Sequence, residues 1–152
     1  MIHIECKPDE QLVIALRFKR KNIQHHKVKS RIFKVLSRSK NQLAIVDEDP
    51  GSNKTAYENS LNHIGMYEGI NCFKDSSGNK IFVLKGKLED WIINNAKEQH
   101  IDLTDFGLPD NPDALHGEIN HHLPEFKELL EKLLQKKNPA IMKLKSLLSG
   151  RN

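Results

Sequence analysis

Apolar positions in the first third of the chain alternate between short runs and helical stripes. The run MIHIE predicts a strand, and CKPDEQLVIALRFKRK after it predicts a helix, with Pro8 in its first turn and an inner side of Leu12, Val13, Ala15 and Leu16. The segment HKVKSRIFKVLSRS predicts a second helix, and QLAIV predicts a buried strand. This order of strand, helix, helix and strand, with apolar strands, favours a parallel sheet of the α/β class.

The middle of the chain continues the pattern of helices and strands. KTAYENSLNHIGMY predicts a helix with an apolar side of Ala56, Leu61, Ile64 and Met66 or Tyr67. INCFKDSSGNKIFVLKG predicts two short strands around the turn DSSGN. KLEDWIINNAKEQ then predicts a helix whose inner side carries Leu88, Trp91, Ile92 and Ala96.

The last third of the chain has a different pattern. DLTDFGLPDNPDALHGEINHH is rich in Pro, Gly, Asp and Asn and predicts a long irregular connection, whereas LPEFKELLEKLLQKK predicts an amphipathic helix. Asn138 and Pro139 predict the start of a final helix, which Gly150 ends. We therefore expect one domain over residues 1–152, with a core over about residues 1–100 and a helical extension over about residues 121–150.

Composition and charge narrow the class of protein. Apolar residues make up 38% of the chain, and no stretch approaches the length of a membrane span, so we expect a soluble protein that does not bind membranes. The opening MIHIEC does not resemble a secretory signal, so we expect a cytoplasmic protein. The formal charge of +4 is uneven, because residues 1–46 carry a balance of +8 and the rest a balance of −4. Basic residues recur between Arg17 and Lys40. They indicate either a phosphate-binding face or a solvated pair of helices.

Acidic residues follow three of the predicted strands. Glu5 ends the first strand, Asp47 and Asp49 end QLAIV, and Glu89 with Asp90 comes shortly after KIFVL. In an open parallel sheet, ligands bind at the carboxyl ends of the strands, so these carboxylates could converge there. Carboxylates of this kind suit Mg²⁺ or Mn²⁺, although DEDPGSN is also ordinary turn chemistry.

Three segments of the sequence resemble the Toprim family. IHIECKPDEQLVIAL is similar to the opening strand, glutamate and helix of a Toprim domain, and AIVDEDPGSN is similar to its Asp-x-Asp strand. IFVLKGKLEDWI further resembles the small stand-alone and OLD-nuclease-type Toprim proteins. The resemblance covers about residues 1–95 in order and implies a Toprim-like three-layer α/β fold, with a mainly parallel central sheet flanked by helices and additional C-terminal helices.

The resemblance also implies roles for the acidic residues. Glu5 would act as general acid/base or metal ligand, Asp47 and Asp49 would hold Mg²⁺ or Mn²⁺, and Glu89 would complete a second metal position. Asp90 is a further candidate ligand. The family commonly has glycine directly after its first glutamate, whereas this chain has Cys6.

The function expected from this resemblance is a metal-dependent nuclease acting on DNA or RNA, with DNA favoured. Stand-alone Toprim proteins, which the chain resembles, are similar to effectors that work beside an ATPase, so the resemblance also implies an ATPase partner and a role in phage defence. Candidate phosphate contacts are Lys85, Lys87, Arg17, Arg20, Lys27 and Arg31. The alternative is a non-catalytic subunit that uses the same fold to bind a partner protein or a nucleotide.

Overall fold

The computed structural model describes residues 1–150, which contain strands and helices throughout. The strands are Ile2–Ile4 (β1), Ile23–His25 (β2), Leu43–Asp47 (β3), Asn62–Tyr67 (β4), Ile70–Lys74 (β5) and Lys80–Leu84 (β6). The α-helices are Lys7–Ala15 (α1), Lys29–Leu36 (α2), Ala56–Ser60 (α3), Leu88–Glu98 (α4), Pro112–Glu118 (α5), Leu123–Gln135 (α6) and Pro139–Leu148 (α7). Short 3-10 helices cover Arg20–Asn22, Leu103–Phe106 and Ile119–His121.

All six strands belong to one mixed sheet in the order β2-β1-β3-β6-β5-β4. The pairs β1–β2, β1–β3 and β3–β6 are parallel, whereas β5 runs antiparallel to both β6 and β4. The expectation of an α/β fold with a mostly parallel sheet flanked by helices is confirmed.

Helices cover both faces of the sheet, as a three-layer arrangement requires. On one face, Ile45 and Phe82 pack in a large apolar cluster with residues of α1, α4, α6 and α7. On the other face, Ala44, Val46 and Ile81 pack against α2 in a smaller cluster. Neighbouring residues of β3 therefore enter opposite clusters, as the alternation of side chains along a strand dictates.

Two predictions for the first half of the chain are wrong. The strand β2 intervenes between α1 and α2, where the sequence predicted no strand. The helix predicted over KTAYENSLNHIGMY ends at Ser60, and β4 follows. Gly65 has a φ of +157°, which no α-helix adopts, and Glu68 and Gly69 both have positive φ. These two residues form the two-residue turn that joins β4 to β5, a geometry that favours hairpins.

The irregular connection predicted before α6 is also wrong in part. It contains α5, whose start is capped by Asn111, because the side-chain oxygen of Asn111 accepts hydrogen bonds from the backbone N–H groups of Asp113 and Ala114. Leu115 and Ile119 from this segment are buried in the large cluster. The predictions of α6 and α7 are confirmed, with Asn138 as the cap of α7.

Candidate functional site

The parallel strands β1, β3 and β6 end at the same edge of the sheet, and two helices begin there. Helix α1 begins at Lys7, shortly after β1, and α4 begins at Leu88, shortly after β6. The first turns of both helices carry acidic residues, which the positive end of the helix dipole favours. This edge gathers most of the acidic residues that the sequence singled out.

Asp9 is the most deeply buried carboxylate at this edge, with 3% of its surface exposed. It accepts hydrogen bonds from the backbone N–H groups of Glu5 at 3.3 Å and Cys6 at 3.2 Å. Burial raises the pKa of Asp9 to about 6, helped by the charge of Glu89 and opposed by these hydrogen bonds. Asp9 therefore fixes the turn between β1 and α1.

Asp47 joins the end of β3 to the start of α4. Its Oδ1 accepts a hydrogen bond of 3.0 Å from the backbone N–H of Leu88. Burial raises the pKa of Asp47 to about 8, and the charges of Asp9, Glu5 and Glu89 add to the effect. The negative charges of these three neighbours therefore all disfavour the ionised form of Asp47.

Glu5 lies within electrostatic reach of three other acidic residues, which are Asp9, Asp47 and Asp49. Burial raises its pKa to about 7, and the charges of Asp9 and Asp49 contribute further, against the opposing effects of Lys29 and a hydrogen bond from the backbone of Asp47. Asp49 itself is half-buried and has a φ of +47°, in the left-handed region. It thus reaches this group from a tight turn after β3.

Glu89 is buried, with 5% of its surface exposed, and it contacts a histidine from α5. Its Oε1 lies 3.2 Å from Nδ1 of His116, whose side chain is mostly exposed. The sequence did not point to His116, because it lies in the segment predicted to be irregular. It did not single out Asp9 either, because the helix dipole alone accounts for an acidic residue in a first turn.

Cys6 occupies the position where Toprim domains, which the sequence resembles, commonly have glycine. Its φ of −140° is extended, so this backbone conformation does not require glycine. The residue is exposed as a whole, but its Sγ donates to Oδ2 of Asp9 at 3.2 Å. Burial of the sulfur and the charge of Asp9 raise the pKa of the thiol, so Cys6 stays protonated at neutral pH. The side chain thus helps to hold Asp9.

Lys29 brings a positive charge to the same edge from the start of α2. Its Nζ donates to the carbonyl oxygen of Asp47 at 2.7 Å and to that of Glu48 at 3.4 Å. The amine therefore ties α2 to the end of β3, immediately beside the acidic residues.

The remaining predicted residues close a helix turn, form ion pairs or are exposed. Oδ2 of Asp90 accepts a hydrogen bond of 3.0 Å from the backbone N–H of Lys87, which closes the first turn of α4. Arg17 and Arg20 form ion pairs with Glu131 at 3.4 Å and Glu10 at 2.9 Å. The other candidate phosphate contacts that are exposed are Lys27, Arg31 and Lys85.

We name the group formed by Glu5, Asp9, Asp47, Asp49 and Glu89 the strand-end carboxylates. Their oxygen atoms are the ligand type that Mg²⁺ and Mn²⁺ prefer, and their mutual repulsion would be relieved by a cation. As the side chains stand, however, no group of three or more His, Cys, Asp or Glu residues within residues 1–150 is arranged to hold a metal ion. The donor chemistry fits a divalent cation, and binding would require carboxylate side chains to turn towards it.

Comparisons with known proteins identify no relative of this chain. No protein-family model matches it, and neither the curated proteins nor the solved structures contain a significant match. Across the described residues 1–150, none of the helices has the length and apolar character needed to cross a membrane.

Proposed function

We propose that this chain is a Toprim-like, metal-dependent nuclease that hydrolyses phosphodiester bonds of nucleic acid. The observation that carries the proposal is the burial of Asp47 at the edge where three parallel strands end, within electrostatic reach of Asp9, Glu5 and Glu89. Strongly shifted carboxylate pKa values that arise from burial and like charges are typical of functional sites. The order of the motifs along residues 1–95 supports the Toprim type.

In this proposal, Asp47, Asp49 and Glu89 hold one or two Mg²⁺ or Mn²⁺ ions, with Glu5 as a further ligand or as general acid/base. Such ions stabilise the attacking and leaving oxygens of a phosphodiester during hydrolysis. A pKa of about 7 places Glu5 in the range of a group that takes up and returns a proton near neutral pH.

Other residues of the chain hold these carboxylates in place. The backbone N–H of Leu88 orients Asp47, and Nδ1 of His116 contacts Glu89. Asp9 fixes the backbone that carries Glu5. Hydrogen bonds of this kind to ligand carboxylates orient them and tune their affinity for metal.

The substrate and partner follow from charge and from the resemblance. The basic stretch between Arg17 and Lys40 would hold the phosphate backbone without reading bases. DNA is favoured over RNA as the substrate. By the same resemblance, the chain would act beside an ATPase partner in phage defence.

The second candidate is a non-catalytic subunit that uses this fold to bind a partner protein or nucleotide. One observation favours it, namely that the carboxylates of residues 1–150 do not form a ready cation site as they stand. The two candidates differ in whether metal binding leads to cleavage.

A cleavage assay with a matched pair of variants tests the proposal. The parent protein is incubated with plasmid DNA and with single-stranded DNA and RNA in the presence of Mn²⁺. Each incubation is carried out with and without a candidate ATPase partner. Glu89→Gln should abolish cleavage and leave nucleic-acid binding nearly unchanged, because it alters the metal site without adding repulsion towards phosphate. Glu98→Gln, at an exposed position of the same helix, should cleave like the parent. Cleavage that survives Glu89→Gln removes Glu89 from the mechanism, and a parent that binds metal without cleaving favours the non-catalytic subunit.

A further inference from the structure

A cavity of about 130 Å³ opens on the sheet face that carries α2 and α3. Its apolar lining includes the rings of Phe33 and Phe73 and the side chains of Leu61, Ile81 and Val83. Phe73, Leu61 and Val83 pack against the small apolar cluster but are only partly buried. Helix α3, which contributes Glu58 to the lining, has only five residues.

The lining of the cavity also carries polar groups, both positively and negatively charged. Lys29 and Lys54 contribute amines, Glu48 and Glu58 contribute carboxylates, and Asn71 contributes an amide. A ligand that fits this lining has an apolar body with hydrogen-bond donors and acceptors around it. Ligand sites of proteins typically combine an apolar lining with a few polar groups of this kind.

The cavity lies next to the strand-end carboxylates. Glu48 lines the cavity and directly follows Asp47, which belongs to those carboxylates. Lys29 also lines the cavity, and its Nζ donates to the carbonyl oxygen of Asp47 at 2.7 Å. One peptide unit of the chain therefore joins the wall of the cavity to the candidate metal site.

We propose that this cavity receives an unstacked base of a single-stranded nucleic acid whose backbone crosses the end of β3. The inference rests on the proposed function and names its substrate class, which is single-stranded rather than duplex nucleic acid. A base presents its flat ring to the partly buried Phe73 and its polar edges to the polar groups of the lining. The exposed Lys54 supplies a positive charge for the negatively charged backbone. A duplex would first have to extrude the base, which costs about a few kcal/mol.

Binding measured without divalent cation separates this inference from the cleavage chemistry. Fluorescence anisotropy in EDTA would compare a labelled single-stranded 12-mer, the same 12-mer with abasic sites, and the corresponding duplex. Because stacking of a base on an aromatic ring contributes about 1–3 kcal/mol, the abasic strand should bind about tenfold more weakly than the intact strand. The duplex should also bind more weakly than the intact strand.

Variants of the cavity wall assign this preference to the cavity. Phe73→Leu removes one ring, and Val83→Met places a longer side chain in the cavity. Both should bring the intact and abasic strands to nearly equal affinity. Phe106→Leu is the matched control, because Phe106 is also partly buried but packs against the large apolar cluster. It should retain the parent's preference.

Several results would overturn the inference. They are equal binding of intact and abasic strands by the parent, duplex binding as tight as single-strand binding, absence of binding to any of these nucleic acids, or a preference that persists in both cavity variants. A parent that prefers intact single strands but never cleaves in Mn²⁺ would refute the nuclease proposal and leave base binding in place. Cleavage by a parent that binds intact and abasic strands equally would support the nuclease proposal and refute base binding in the cavity.

Discussion

At the scale of single residues, the clearest feature is the accumulation of negative charge around Asp47. Its pKa is raised to about 8, and those of Glu5 and Asp9 are raised to about 7 and about 6. A carboxyl group whose pKa is higher in the folded than in the unfolded state binds protons preferentially when folded. The stability that this protonation contributes is complete at low pH and is lost as the pH rises through the folded-state pKa values.

We therefore expect the free energy of unfolding of the metal-free protein to fall between about pH 4 and pH 8. Asp47→Asn should reduce this fall and raise the melting temperature in EDTA at pH 8, because Asn keeps an oxygen for the N–H of Leu88 and carries no charge. Thermal unfolding at several pH values measures the effect, with Asp105→Asn at an exposed position as the control. A parent that is more stable at pH 8 than at pH 5, or an unchanged pH dependence in Asp47→Asn, would contradict the account.

His116 allows a second test at this scale. Because its Nδ1 contacts Glu89, His116→Ala should weaken Mn²⁺ binding by about 10-fold or more, as does loss of other hydrogen bonds to metal ligands. His116→Asn should retain most of the affinity, since the amide nitrogen of Asn can occupy the place of Nδ1. Calorimetric titration of both variants measures this, with His121→Ala as an exposed control. Equal Mn²⁺ affinity in His116→Ala and the parent would exclude this role.

At the scale of elements, the sequence predicted the parts of the site that lie on regular structure. Glu5, Asp47 and Glu89 follow strands whose apolar runs are unambiguous, and a parallel sheet brings the ends of such strands to one edge. His116 could not be found in this way, because α5 has seven residues and too few apolar positions to show a helical period. The strand β4 was hidden for a different reason. Ile64, Met66 and Tyr67 are exposed on an edge strand, so their spacing carried no signal of which face is buried.

The cap of α5 links this element to the site. Asn111→Ala removes the acceptor for two backbone N–H groups and should cost about 1 kcal/mol of stability. It should also weaken Mn²⁺ binding in the same direction as His116→Ala, because α5 carries His116. Asn111→Asp keeps the cap and should restore both properties. If Asn111→Ala lowers the melting temperature and leaves Mn²⁺ affinity unchanged, then α5 does not position His116 through its cap.

At the scale of the whole molecule, positive charge is concentrated in the N-terminal part of the chain. This segment supplies the 3-10 helix Arg20–Asn22, the edge strand β2 and helix α2, and most of its basic residues are exposed. Lys29 differs, since it faces the strand-end carboxylates. Lys27 and Arg31 follow the parallel strand β2, towards the edge where the strand-end carboxylates lie, whereas the basic residues from Arg17 to Lys21 precede β2. Exposed positive charge of this kind attracts the phosphate backbone of a nucleic acid.

Neutralising this surface should weaken nucleic-acid binding about equally for all sequences. Changing Lys19, Lys21 and Lys27 to Gln should reduce the slope of log affinity against log salt by about 0.7 to 0.9 for each phosphate that the protein no longer neutralises. The matched control changes Lys97, Lys127 and Lys137, which are exposed elsewhere. Titrations of a labelled oligonucleotide at several salt concentrations provide the slopes. If the slope falls equally in both triple variants, the positive charge of the protein attracts nucleic acid as a whole and no particular surface binds the phosphates.

The central claim is that the strand-end carboxylates bind a divalent cation, and the melting temperature of the parent protein in increasing Mn²⁺ tests it most directly. A ligand at one hundred times its dissociation constant stabilises the folded state by about 2.7 kcal/mol, which raises the melting temperature of a domain of this size by about 5–11 °C. The account predicts this rise for the parent and a smaller rise for Asp47→Asn. A melting temperature that millimolar Mn²⁺ and Mg²⁺ leave unchanged would contradict it.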